Sequence, residues 1–180
     1  IPLPNNEIKI ETINPRFVEA IKTSTSADRY VAILIHKNPL DDDMTLKNIH
    51  PIGIVAKVIN VVDGNPFVAK VLGIVRCRLI DITTVDPFIN ATVMSLPKTS
   101  ENTSEELNYV KMLVSEIEKN GTKIFGNNRE ALALISKGVT PDKLTDILAF
   151  NMHIDLMAKM KYLDTPSITQ RLRFIVEDVK

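Results

Sequence analysis

The residues most able to do chemistry are Arg76, Cys77 and Arg78. Two guanidiniums flanking a thiol would favour a reactive thiolate if all three groups shared a face. Side chains alternate along a strand, however, so Arg76 and Arg78 point one way while Cys77 and Leu79 point the other. Cys77 is therefore expected in the core, as a small buried hydrophobe. It is the single cysteine of the chain. An internal disulfide is impossible, which fits a reducing compartment.

The other candidates are weaker. Asp41, Asp42 and Asp43 place three carboxylates side by side, and such oxygens suit a hard cation. The alternating ligand spacing and closing Glu of a calcium loop are missing, so a solvated loop is expected. His36, His50 and His153 are scattered without metal-ligand spacing. The sequence holds no G-x-x-x-x-G-K-[ST] phosphate loop and no G-x-S-x-G elbow. No catalytic or metal constellation is expected.

Composition narrows the classes further. The chain has 180 residues, with 22 basic side chains against 22 acidic ones, so no net field attracts nucleic acid. Aromatics make up 5% and Trp is absent, which argues against a base-stacking or sugar-binding surface. Hydrophobic residues at 44% can fill a real core. No apolar run reaches the ~18 residues that span a membrane, and the N-terminus lacks a signal-peptide pattern. The chain opens on Ile1 rather than Met, which reads as a fragment of a longer protein. A soluble, intracellular setting is expected.

The elements that must position any site centre on residues 53–82. β-Branched residues crowd this stretch, broken once by Asp63-Gly64-Asn65-Pro66. Asp-Gly offers positive φ and Pro66 cannot continue a ladder, so a turn between two strands is predicted. Both faces are largely apolar, which suits a closed or two-layer sheet. Gly73 interrupts the second strand as a bulge or barrel corner would. Alternation predicts a strand over Glu7–Thr12, and Asn14-Pro15 predicts a helix start, with Phe17, Val18, Ala20 and Ile21 on its buried face. Tyr30–His36 reads as a buried strand and Ala91–Leu96 as a last one, closed by Pro97. After a polar stretch the period turns helical. Ser104 is expected to cap a helix ended by Asn120-Gly121, Asn128 a second one, and Thr140-Pro141 to open a third. Asp155–Leu163 reads as a fourth, and Thr165-Pro166 as the start of the last.

Gly53, Ala56, Ile59, Gly64, Val71, Gly73, Arg76 and Arg78 stand at spacings that resemble the N-terminal domain of Lon-type ATP-dependent proteases. Lys159, Leu163, Arg171 and Leu172 extend the resemblance to the helical part, with Met160 where that family usually has Gln. The opening is shorter than the family's and lacks its Arg and Phe-Pro. The resemblance implies an α+β fold, with a PUA-like β-barrel or sheet lobe over residues 1–98 and an α-helical bundle lobe over 99–180. It also implies a non-catalytic substrate-recognition and oligomer-supporting domain that holds unfolded, damaged or degron-bearing proteins. The parent would be a hexameric serine endopeptidase using ATP and Mg, in the cytoplasm or the mitochondrial matrix. No cofactor is expected in this stretch. Holding extended apolar segments calls for an exposed apolar patch between the lobes. Ile10 and Phe67 are expected there, with Ile13 and Met94 behind them. The alternative is a stand-alone PUA-like module binding RNA or a small ligand, for which Arg76 and Arg78 would be the contacts.

Overall fold

The β-branched runs on either side of residue 63 form the two longest strands of a five-stranded antiparallel sheet. In chain order the strands are β1 (Glu7–Thr12), β2 (Tyr30–Ile33), β3 (Ile52–Val62), β4 (Phe67–Thr84) and β5 (Asn90–Leu96). Their order is β1-β4-β3-β2, with β5 also paired to β4. The computed structural model describes residues 1–41, 43–125 and 128–180. It divides into two units, Pro2–Leu96 and Pro97–Lys180 together with Ile1. Asp42 lies outside the described residues. Asp41 and Asp43 spend carboxylate oxygens on their own loop, accepting from the Asp43 and Thr45 N–H groups at 3.0 Å each.

Strand β4 organises the first unit. Its first half, Phe67–Leu72, pairs with β1; its second half, from Arg76 on, pairs with β5; β3 lies along the other edge. Register shifts leave Ile59 extra on β3 and Ile74, Ile80 and Thr83 extra on β4. Such bulges bend a strand and increase its twist. The bend is large. Phe67 sits opposite Thr12 at the end of β1, and Asp86, just past the end of β4, pairs with Arg16 at 2.9 Å. Fully extended, the chain from Phe67 to Asp86 would cover about 60 Å. The links through Thr12 and Arg16 hold those residues within about 30 Å. The sheet is therefore strongly curled, in the manner of a barrel.

Gly73 explains part of this curl. A Cβ there would lie 2.6 Å from the Leu3 carbonyl oxygen and 3.0 Å from the Pro4 Cα. That backbone is held in place, because Asn5 N–H donates to Gly73 O at 2.8 Å and Gly73 N–H to Asn6 O at 3.0 Å. Gly73→Val should therefore lower stability by at least about 2 kcal/mol, since two bonded backbones must separate to admit the side chain. A denaturant midpoint equal to the wild-type value would show that they separate freely.

The turn between β3 and β4 differs from the Asp-Gly expectation. Gly64 does not take positive φ; the turn instead contains a cis Asn65–Pro66 peptide. Helix α1 (Pro15–Thr25) starts as its sequence predicts: Asn14 Oδ1 accepts from Arg16 N–H at 3.0 Å, with Pro15 in the first turn. Its buried side carries Ile21 and Ser24, and Phe17 is 40% exposed rather than buried. β2 is shorter than the run Tyr30–His36 and not buried throughout, because it is an edge strand; His36 makes only an isolated bridge to Ile49.

Among its described residues the second unit contains five helices: α2 (Thr103–Phe125), α3 (Arg129–Ser136), α4 (Pro141–Asn151), α5 (Leu156–Asp164) and α6 (Ile168–Asp178). Asn102 rather than Ser104 opens α2, its Oδ1 accepting from Glu105 N–H at 3.0 Å. Asn120, at φ −131° and ψ 19°, breaks the helical backbone where the sequence places a helix end, and a further helical stretch follows the kink. Asn128 caps α3, and Gly138 at φ +87° follows its end. Ser167 caps α6, two residues past the expected Thr165-Pro166 start, because its hydroxyl reaches the Gln170 N–H at 3.2 Å. Leu144, Leu148, Leu163, Leu172 and Ile175 form the core of the unit.

Polar contacts lock α6 to the rest of this unit. Arg171 and Asp146, both buried, pair at 2.8 Å. Thr169 Oγ1 donates to Glu106 at 2.6 Å and accepts from the Glu101 N–H at 3.0 Å. On the surface, Arg173 grips Glu105 through two bonds of 2.8 and 2.9 Å. Those bonds, with a further one from Tyr109, hold the Glu105 carboxyl down at about 2.

Candidate functional site

The strand β1 ends in a two-residue corner. Thr12 Oγ1 accepts from Asn14 N–H at 3.0 Å, and Asn14 then caps α1. Thr12 and Asn14 are half-buried, and the residue between them, Ile13, is 76% exposed. Phe17, in the first turn of α1, is 40% exposed. The Arg16–Asp86 ion pair brings the β4–β5 connection, with Phe88 and Ile89 half-buried, alongside this corner. Two exposed apolar side chains, Ile13 and Phe17, thus flank a helix cap, a proline and an ion pair.

The four expected contact residues fare differently. Ile13 faces solvent. Met94, opposite Arg78 on β5, is 52% exposed but lies on a different strand from the corner. Ile10 is half-buried opposite Ala69. Phe67 is a correction: at 1% exposure it is a core residue, with Lys22 Nζ 5.8 Å from its ring centre. Its place opposite Thr12 at the end of β1 leaves the ring no solvent-facing side. Phe17 was missed because its helical spacing matches the buried face, and spacing alone does not show where a sheet ends.

Arg76, Cys77 and Arg78 do not share one environment. Cys77 is fully buried, and burial pushes its thiol above the ordinary value. Arg76 is buried and Arg78 exposed, so the two do not form one surface for RNA. Among the described residues there is no group of three His, Cys, Asp or Glu side chains that could hold a metal.

Residues 1–180 match the family model of the ATP-dependent protease La (LON) substrate-binding domain. The chain belongs to this family. It is 24% identical over 184 residues to Lon protease of Aster yellows witches'-broom phytoplasma, covering 100% of this chain and 23% of that protein. Lon protease of Rhizobium meliloti is 27% identical over 160 residues, covering 86% of this chain and 20% of that protein. The chain thus spans about a fifth of the length of the curated Lon proteases it matches. The N-terminal domain of Mycobacterium avium complex Lon protease shares the fold, with a TM-score of 0.70 at 19% identity over 98% of this chain and 91% of that one. A Lon N-terminal domain protein from Xanthomonas campestris gives 0.61 at 12% identity, over 97% and 90%.

The structure supplies a physical reason for the residues that carry the Lon-domain resemblance. A Cβ at Gly53 would meet the Ile33 carbonyl oxygen at 2.4 Å, and Gly73 is equally closed. Ala56, Leu163, Arg171 and Leu172 are all fully buried. Lys159 Nζ donates to the Phe150 carbonyl at 2.9 Å. Ile59, Gly64 and Arg78, which carry the resemblance too, are exposed.

Proposed function

We propose that this chain holds unfolded, damaged or degron-bearing protein segments for an ATP-dependent Lon protease and does no chemistry itself. The observation that carries this reading is the exposed apolar corner of Ile13 and Phe17. An apolar surface held rigid binds extended apolar side chains of many sequences without reading any one of them. Each contact is weak, and repetition around a parent hexamer would raise the total. The family to which the chain belongs supports the same reading. In the parent protein, ATP and Mg would act elsewhere.

Ile13→Asp should weaken capture of a labelled, permanently unfolded protein by about ten-fold, since it removes an exposed apolar contact and adds a desolvation cost. Its melting transition should stay close to wild type, as surface changes shift stability by only about 0.5 kcal/mol. Unaltered capture would move the contact away from this corner. A single-stranded RNA that binds tightly at low salt, and is lost as salt rises, would instead favour the RNA-module alternative.

A further inference from the structure

β2 stops at Tyr30, opposite Lys57, while β3 runs on to Val62. Residues 59–62 of β3 therefore extend past the strand that pairs with its outer edge. A groove of about 280 Å³ lies there, lined by Thr25, Arg29, Val58, Ile59, Asn60 and Val61. Ile59 and Val62 are 42% and 57% exposed.

The β2 side of β3 loses its strand partner in this groove. Val58 N–H donates to the Arg29 carbonyl at 2.8 Å, the last rung on the β2 side. One rung further on, Val61 N–H donates to the Asn60 side-chain oxygen at 2.9 Å. A side-chain amide oxygen there does what the carbonyl of an added strand would do.

Arg29 stands at the end of the groove with its backbone at φ +70°. Its N–H closes the end of α1 on Ser24 O at 2.8 Å. Glycine occupies such left-handed helix ends without strain, and a side chain with a Cβ does not. The Arg29 side chain is exposed. Neighbouring charges are engaged elsewhere: Lys22 pairs with Asp63 at 2.9 Å, Lys57 lies over the Tyr30 ring, and Asp28 accepts from Tyr30 N–H at 3.0 Å.

Direction decides the occupant. β2 runs antiparallel to β3, so a segment that continues its line across residues 59–62 in the same sense ends with its C-terminus at Arg29. We propose that this edge takes an extended peptide as an added antiparallel strand, with its C-terminal carboxylate on the Arg29 guanidinium. The proposal rests on the client-holding reading above and specifies which part of a client is held.

The test is anisotropy with the 180-residue chain and a labelled apolar octapeptide, supplied as the free acid and as the C-terminal amide. The amide should bind about ten-fold more weakly, because it loses a charge-assisted bond. N-methylation of alternate peptide nitrogens should weaken binding too, since it removes rungs. Arg29→Gly should abolish the preference for the acid while raising the melting temperature, as the backbone strain is relieved. Arg29→Lys should keep part of the preference. Equal binding of acid and amide, or a preference that survives Arg29→Gly, overturns the proposal. If a permanently unfolded protein still binds in that case, the client-holding reading stands without it. If neither the peptide nor the unfolded protein binds, both fall.

Discussion

Phe67→Asp is expected to unfold the unit Pro2–Leu96, with no separate effect on client capture. The ring is fully buried at the first residue of β4, opposite Thr12. Losing it leaves a cavity worth about 3–5 kcal/mol, and the carboxylate that replaces it must be desolvated or protonated. The sum matches or exceeds much of the 5–15 kcal/mol of net stability typical of a domain, taken as about 10 kcal/mol. The expected observation is loss of the cooperative circular-dichroism melt of the β-rich unit at 25 °C. A melt at the wild-type temperature would mean that Phe67 can swing outward, and would return it to the contact surface. Phe67→Leu, which keeps most of the volume, should fold and lose only about 1–2 kcal/mol.

The second large effect belongs to the helical unit. Asp146→Ala should cost about 3–5 kcal/mol, because it leaves the Arg171 guanidinium buried without its carboxylate at 2.8 Å. Lys98→Ala removes a pair of nearly the same length, 2.7 Å to Asp142, from a lysine that is mostly in solvent. That loss should stay under about 1 kcal/mol. Urea titrations of the two variants compare like with like, since both pairs lie within Pro97–Lys180. Equal losses would show that burial is not what separates them.

Local signals foretold local structure well. Asn14-Pro15, Asn128 and Thr140-Pro141 each marked a helix start, because a cap or a fixed φ acts within one turn. Alternation found β1, β3, β4 and β5. The errors arose where a distant contact decides. Ser104 resembles a cap as much as Asn102 does, and only the Thr169 hydroxyl meeting the N–H groups of Glu101 and Asn102 shows where the turn sits. Phe67 follows a turn, and nothing local shows that its place opposite Thr12 buries the ring. The stretch of β3 that β2 leaves uncovered, residues 59–62, depends on where β2 ends relative to β3, which a single strand's pattern does not contain. The packing residues of the Lon-type domain were legible for the opposite reason: Gly53, Gly73 and Arg171 each admit few alternatives.

The lock on α6 also sets the order in which a growing chain can finish its parts. Every strand partner in the β-rich unit has been made once the ribosome has passed Leu96. The helical unit must wait. Glu106 and Asp146 are synthesised well before Thr169 and Arg171, the residues that answer them. Until the last helix leaves the exit tunnel, those carboxylates and the leucines beside them have no completed core to enter. A nascent copy of this chain therefore passes through a stage with one half folded and the other open.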